Sequence, residues 1–225
     1  MTEHATPRQR WTHVETWVFD LDNTLYEPSA RLFDQIDARM TAFIMRELGV
    51  PRAEADRLRR TYWQSYGTTL MGLAERHGVD PVCFLADVHA IDLSALRPDV
   101  ALCEAIRRLR GVKIVHTNGA RAHAARVIAA CGLDGLFDAV YAIEDKNFVP
   151  KPQAEAYRHI IRHAGLDPAA AAMIDDDARN LEVPKALGMA TVWISHDAAA
   201  AAPAWIDRRI TTLSGFLQEI GQLRD

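Results

Sequence analysis

Trp17, Val18 and Phe19 form a short apolar run that ends in Asp20-Leu21-Asp22-Asn23-Thr24. A run of this kind reads as a buried strand, and its two carboxylates fall at the strand's end. Tyr26-Glu27-Pro28-Ser29 then marks a turn. From Leu32 the period lengthens to that of a helix: Leu32, Phe33, Ile36, Met40, Phe43, Ile44 and Leu48 recur until Gly49 and Pro51 stop it. Further helices are expected over 52–66, 69–77 and 81–89, punctuated by Gly67, Gly78 and Pro81. No strand pattern intervenes before Gly111.

Behind Gly111 short apolar runs alternate with helical spacing. Strands are expected at 112–116, 139–143, 171–174 and 190–194, with a short one at 209–211. Helices are expected at 121–130, 154–164, 178–187 and 213–223, with Gly132, Gly165 and Gly188 closing the first three. Pro184 fits the third only if that helix starts late and Pro184 lies in its first turn. Such alternation builds βαβ units and a parallel sheet. The expected fold class is α/β: a Rossmann-like parallel sheet sandwiched by helices, with an all-helical insertion after the first strand. The expected divisions are a flexible N-terminus over 1–13, a sheet domain from 14–25 and 97–225, and a helical insertion over 26–96.

Composition narrows the classes of function. The chain has 225 residues, 49% apolar and 25% charged, as a globular domain with a sizeable core requires. A net charge of −4 provides no electrostatic footprint for nucleic acid or a membrane surface. Arg107, Arg108 and Arg110 read as a solvated helix face. Cys83, Cys103 and Cys131 have neither disulfide nor zinc spacing, and read as small buried residues of a protein in a reducing, cytoplasmic compartment. Residues 1–10 lack the apolar segment of a signal peptide, and no stretch is long enough to span a membrane. The nine histidines, His4 and His196 among them, show no ligand spacing; His159 and His163 read as a solvated helix face, and His116 as a neighbour of the site.

In open parallel sheets ligands bind at the carboxyl ends of the strands. The first strand ends in Asp20 and Asp22, the second in His116-Thr117-Asn118-Gly119. The third leads through Glu144-Asp145 to Lys151 between Pro150 and Pro152, and the fourth ends in Asp175-Asp176-Asp177. Singly, each has an ordinary structural explanation: a turn, a helix cap, a solvated lysine, a helix N-terminus. Together, in this order, they gather carboxylates, a hydroxyl and one lysine at one edge. Converging carboxylates need a cation to remain ionised, and oxygen-only ligands suit Mg²⁺. That set describes a phosphoryl-transfer site.

The residues from about Thr16 to Ile194 resemble the haloacid dehalogenase-like (HAD) hydrolase superfamily. Its Asp-x-Asp-x-Thr motif is matched by Asp20, Asp22 and Thr24. Its Thr or Ser after an apolar strand is matched by Thr117, its Lys by Lys151, and its acidic cluster by Asp175 and Asp176. The helical insertion looks like the C1-type cap of that superfamily. Within it, Asp20 to Tyr26 with Asn at position 23, the segment Tyr62 to Leu70, Leu96-Arg97-Pro98-Asp99, His116 to Gly119 and Asp175 to Asn180 resemble the pyrimidine 5′-nucleotidase group. Asp177, where a Ser is usual, and Pro184 depart from the pattern.

The resemblance implies a Mg²⁺-dependent phosphatase acting through an aspartyl phosphate. Asp20 is then the nucleophile and Asp22 the general acid and base, while Thr117, Asn118 and Lys151 hold the phosphoryl group. Mg²⁺ is held by Asp20, Asp22 through its backbone carbonyl, and Asp176, with Asp175 either a ligand or a partner of Lys151. Tyr26, Arg31, Tyr66 and Thr69 are candidate leaving-group contacts. The expected substrate is a small phosphate ester, a nucleoside monophosphate such as UMP or CMP, turned over by a monomer or homodimer. Phosphoglycolate, sugar phosphates and pyridoxal phosphate are the alternatives. A receiver domain of a two-component system is a remoter reading, since there the acidic pair precedes the phosphorylated Asp and no helical insertion follows the first strand. A non-catalytic binding protein on the same scaffold would be expected to have lost Asp20, Asp22 or Lys151.

Overall fold

The computed structural model describes residues 11–195, 197 and 199–222. Six strands, β1 (Thr16–Phe19), β2 (Val112–His116), β3 (Ala139–Tyr141), β4 (Ala171–Asp175), β5 (Ala190–Ile194) and β6 (Arg208–Ile210), form one sheet in the order β3-β2-β1-β4-β5-β6. Every pairing is parallel; Val18 lies between Ile114 of β2 and Met173 of β4. β1 is buried along its whole length, and so is β4. Covering by helices on both faces is what makes such strands read as unbroken apolar runs.

Side chains of adjacent strand residues leave opposite faces. Trp17, Phe19, Ala172, Ile174 and Val192 pack with Leu102 and Ile106 of α5 (Val100–Arg108), Ala124 and Val127 of α6 (Arg121–Ala130), and Phe216 and Leu217 of α9 (Leu213–Gln222). Val18, Ile114 and Met173 face the other way, toward Ile160 of α7 (Ala154–Ala164), Leu181 and Met189. The result is three layers, α/β/α. Asp99 begins α5 by accepting from the Leu102 N–H at 3.1 Å, a capping signal ahead of the arginines read from the sequence.

Residues between β1 and α5 form a helical block. It contains α1 (Leu32–Leu48), α2 (Arg52–Tyr66), α3 (Thr69–His77) and α4 (Pro81–Val88). These share a separate cluster of Phe43, Ile44, Ala55, Tyr62, Leu73 and Phe84. Ala120 and Ile143 of the sheet layer join that cluster, so the block packs directly over the carboxyl edge of the sheet. Gly72 of α3 lies against the Tyr62 ring of α2, where a Cβ would overlap the ring.

Some expectations need correction. Trp11 is 5% exposed and packs on Trp17 and edge-on to Phe216, so order begins before residue 14; residues 1–10 lie outside the described residues. The helix expected over 178–187 is a 3₁₀ turn, Ala178–Leu181, followed by α8 (Glu182–Ala186), which places Pro184 in a first turn where no N–H is needed. β3 stops at Tyr141, β4 extends to Asp175, and β6 is shifted one residue back from 209–211. Cys83 is exposed; only Cys103 and Cys131 are buried. Leu223, His4 and His196 lie outside the described residues. No helix among those described is long and apolar enough to cross a membrane.

Candidate active site

The chain turns from β1 to both sides of the sheet, toward β2 and toward β4, and crevices form where strand order reverses in this way. Asp20 stays in the ladder, donating its N–H to the Ile174 carbonyl at 2.8 Å. Asn23, at φ 58°, then bends the chain back so that Asp20 and Asp22 both face the edge. At the end of β2 the Thr117 hydroxyl accepts from the Gly119 N–H at 2.8 Å, which shapes the turn into α6.

Lys151 reaches this edge from the loop behind β3. The Asn118 amide holds that loop by two bonds, donating to the Lys151 carbonyl at 3.0 Å and accepting from its N–H at 2.8 Å. Lys151 is 1% exposed, and its ammonium lies 2.6 Å from both Asp20 Oδ1 and Asp175 Oδ2. Asp175 spends its other oxygen on the Asp177 N–H at 2.9 Å and the Asn180 amide at 3.0 Å. Asp176 accepts from Asn23 at 3.4 Å. Distant groups brace the acidic loop: Trp193 donates to the Asp176 carbonyl, Trp205 to that of Ala178 and Tyr157 to that of Asn180.

Burial pushes the Asp20 carboxyl up to about 7; Lys151 opposes this, while Asp175 and Asp22 add to it. Burial, then the neighbouring Asp20 and Asp175, push Asp176 up to about 8. Burial alone would lower Lys151, but Asp175 and Asp20 outweigh it and hold the ammonium above its usual range. Asp22 differs. Burial would raise it, but His123, then His89 and Tyr26, outweigh burial and bring it below the usual carboxylate range. Oxygens of Asp20, Asp175 and Asp176 lie within 4.8 Å of one another. Three close carboxylates, two of them resisting ionisation, with oxygen donors only, fit a hard divalent cation such as Mg²⁺.

Above these groups lies a cavity of about 310 Å³. Its floor includes Asp20, Asp22, Thr117, Asn118, Lys151 and Asp176; its roof, from the helical block, is mostly apolar, with Phe33, Met40, Phe84, Leu85 and Val88. Of the four candidate leaving-group contacts, Thr69 lines it; Tyr26, Arg31 and Tyr66 do not. Arg31 is exposed and paired with Asp34, Tyr66 packs edge-on to Tyr62 in the block, and Tyr26 enters the site only by donating to Asp22 at 2.8 Å. His116 turns to Tyr157, edge-on at 5.4 Å, and does not line the cavity.

Four contributors went unread in the sequence. His123 lies 2.9 Å from Asp22, His89 stacks on His123, and Arg179, paired with Asp177, lies 3.9 Å over the Trp63 ring at the cavity wall. Asp177 departs from the usual Ser, and Arg179 takes up its charge. A histidine in the first turn of the helix behind Thr117 was the available signal for His123; the Trp63 partnership had none.

Fold and site define a three-layer α/β protein with an aspartate–lysine centre at the carboxyl edge of its parallel sheet. The chain belongs to the haloacid dehalogenase-like hydrolases, whose family model matches residues 14–188. It is similar to Phosphate metabolism protein 8 of Saccharomyces cerevisiae, 30% identical over 195 residues, covering 79% of this chain and 60% of that protein. The chain thus spans less than two thirds of that relative. Its fold is also that of a HAD phosphatase from Thermococcus onnurineus (TM-score 0.63, 19% identity, 92% of this chain and 98% of that one). The HAD-hydrolase YfnB from Bacillus subtilis, solved bound to magnesium, shares it too (TM-score 0.61, 16% identity, 92% and 98%).

Proposed function

We propose that the protein is a Mg²⁺-dependent phosphomonoester hydrolase that works through an aspartyl phosphate, with pyrimidine nucleoside 5′-monophosphates as its substrates. The observation that carries this reading is the division between the two carboxylates of the first loop. Asp20 faces Lys151 and the acidic cluster, while Asp22 is held apart by His123 and Tyr26. Two carboxylates in contrasting surroundings take two roles.

In this reading a carboxylate oxygen of Asp20 forms a bond to phosphorus as the bond to the leaving oxygen breaks, and Asp22 gives that oxygen its proton. Water then attacks the aspartyl phosphate. Asp22 takes the proton from the water, and Asp20 and inorganic phosphate are released. Lys151 and the Thr117 hydroxyl hold the phosphoryl oxygens, and Asn118 keeps Lys151 in place. Mg²⁺, held by Asp20, Asp176 and the Asp22 backbone carbonyl, would favour the ionised form of Asp20 and polarise the phosphoryl oxygens. A phosphate dianion arriving beside Asp22 favours its protonated form, the one a general acid needs. Asp175, engaged with Lys151, Asp177 and Asn180, is the partner of Lys151 rather than a direct ligand.

The helical block, 26–96, is the cap that covers the substrate and excludes water. Its mostly apolar roof suits a flat leaving group such as a nucleobase better than the hydroxyls of a sugar phosphate, which would lack partners there. The resemblance to pyrimidine 5′-nucleotidases supports the same choice. The test is a phosphate-release screen over UMP, CMP, AMP, phosphoglycolate, sugar phosphates and pyridoxal phosphate, with and without Mg²⁺, using Asp20→Asn as the blank. UMP and CMP should be hydrolysed fastest, only with Mg²⁺, and not by the folded Asp20→Asn variant. Preference for a non-nucleotide overturns the substrate assignment alone; a fully active Asp20→Asn variant overturns the mechanism.

A further inference from the structure

His123 is buried in the first turn of α6, with its side chain 0% exposed. Its Nε2 lies 2.9 Å from Asp22 Oδ1, and the Tyr26 hydroxyl lies 2.8 Å from that same oxygen. An ionised carboxylate only accepts, so imidazole and phenol both donate. The other oxygen, Oδ2, lies beside Gly119: a Cβ there would come within 3.5 Å of Oδ2 and 3.2 Å of both Thr117 Oγ1 and the His123 ring. Asp22, Gly119, Thr117 and Lys151 all line the cavity in which the proposed reaction takes place.

The ring of His123 is itself held. His89, at the exit of α4, stacks on it with centroids 4.3 Å apart and planes 15° apart. Arg126, three residues along α6, donates to the carbonyls of His89 at 3.0 Å and Ile91 at 2.7 Å, which fastens the exit of the helical block to α6. Among the described residues none hydrogen-bonds His123 Nδ1.

We infer that His123 is a positioning residue for proton transfer: with Tyr26 it occupies Oδ1 of Asp22 and so presents Oδ2 to the leaving oxygen. This rests on the reading of Asp22 as general acid and base. Two donors on one oxygen fix the carboxylate's rotation about its Cβ–Cγ bond, and the stacked His89 keeps the imidazole plane from turning with it. The proton that leaves Asp22 for the departing alkoxide therefore leaves from a defined atom.

The role makes a prediction that general structural support does not. An alkyl ester needs a proton on its leaving oxygen, whereas p-nitrophenolate leaves without one. The constant kcat/KM reports only steps through transfer to Asp20, where Asp22 acts as acid. His123→Phe, which keeps a ring against His89 but has no donor, should lower kcat/KM for UMP and phosphoglycolate by roughly ten- to a hundredfold. For p-nitrophenyl phosphate the change should stay within about threefold. His123→Gln, which can offer an N–H at similar reach, should recover most of the loss. Tyr26→Phe, which removes the second donor, should show the same selectivity and carries the test if His123→Phe melts early in thermal denaturation. Equal losses on both kinds of ester, or none, would overturn the assignment while the hydrolase reading stands. A folded wild-type protein that releases phosphate from none of these esters overturns both.

Discussion

Lys151 and Asp20, 131 positions apart in the chain, meet at 2.6 Å in the buried floor of the cavity. The same ammonium holds Asp175, so one lysine offsets two buried carboxylates. Removing one partner of a buried pair leaves an uncompensated charge, at a cost of about 3 kcal/mol or more. Lys151→Met should therefore destabilise the protein by about 3 kcal/mol at pH 8, and by less at pH 6, where the carboxyls can take up protons. Urea denaturation at the two pH values measures the difference. Phosphatase activity should fall at least about a hundredfold through the loss of a phosphoryl-holding charge.

Metal and pH should act on stability together. Asp20 and Asp176 are pushed to about 7 and about 8 in the folded protein without a cation, above the ordinary carboxylate range. The folded state then holds more protons than the unfolded one between the ordinary range and those values, so these two groups take stability away as pH rises. His89, lowered to about 4 first by burial, and the buried His116 and Lys146, also lowered, work in the opposite direction. Their contribution is common to protein with and without metal. The gain in Tm on adding Mg²⁺ should therefore grow from pH 5.5 to pH 8. A gain that shrinks over that interval would show that the acidic cluster is not the binding site. Paired thermal melts in EDTA and in Mg²⁺ decide this.

Arg179 joins the sheet layer to the helical block by lying over Trp63, held flat by Asp177. A partly exposed stack of this kind contributes about 0.5–1 kcal/mol. Arg179→Met should accordingly raise KM by about two- to fivefold with little change in kcat, because the pair closes the cavity wall without touching the reacting atoms. Steady-state kinetics on the best substrate separates the two constants.

Within the block, Gly72→Ala should be destabilising. The added methyl would overlap the Tyr62 ring between α3 and α2, and overpacking of this kind costs about 1–3 kcal/mol. A lower Tm measures it.

Most of the candidate site was legible because Asp20, Thr117 and Asp175 end or directly follow apolar runs; Lys151, in the loop behind β3, was legible only through its place in the order of elements. Parallel strands covered on both faces must be apolar throughout, so a carboxylate or a Thr-Asn-Gly at such a run's end stands out. The cavity wall was not legible in the same way. Arg31 and Tyr66 share a segment with true lining residues such as Phe33 and Thr68, but which side of α1 or α2 faces the sheet edge depends on how the block sits. His123 reads locally as one more helical residue; its meaning lies 101 positions back, at Asp22. Asp175 and Asp176 are alike in sequence, and the reach of Lys151 distinguishes them.

The order of elements, the parallel sheet, the helical insertion and the residues at the strand ends were thus determined by the sequence alone, because local period and turn chemistry carry them. The tertiary structure decided which carboxylates pair with Lys151, which one contacts His123 and Tyr26, and which insertion residues line the cavity. The Lys151 and His123 outcomes rest on contacts of 2.6–2.9 Å between segments remote in the chain, set by how helices pack over a sheet edge and not by the spacing of residues along it.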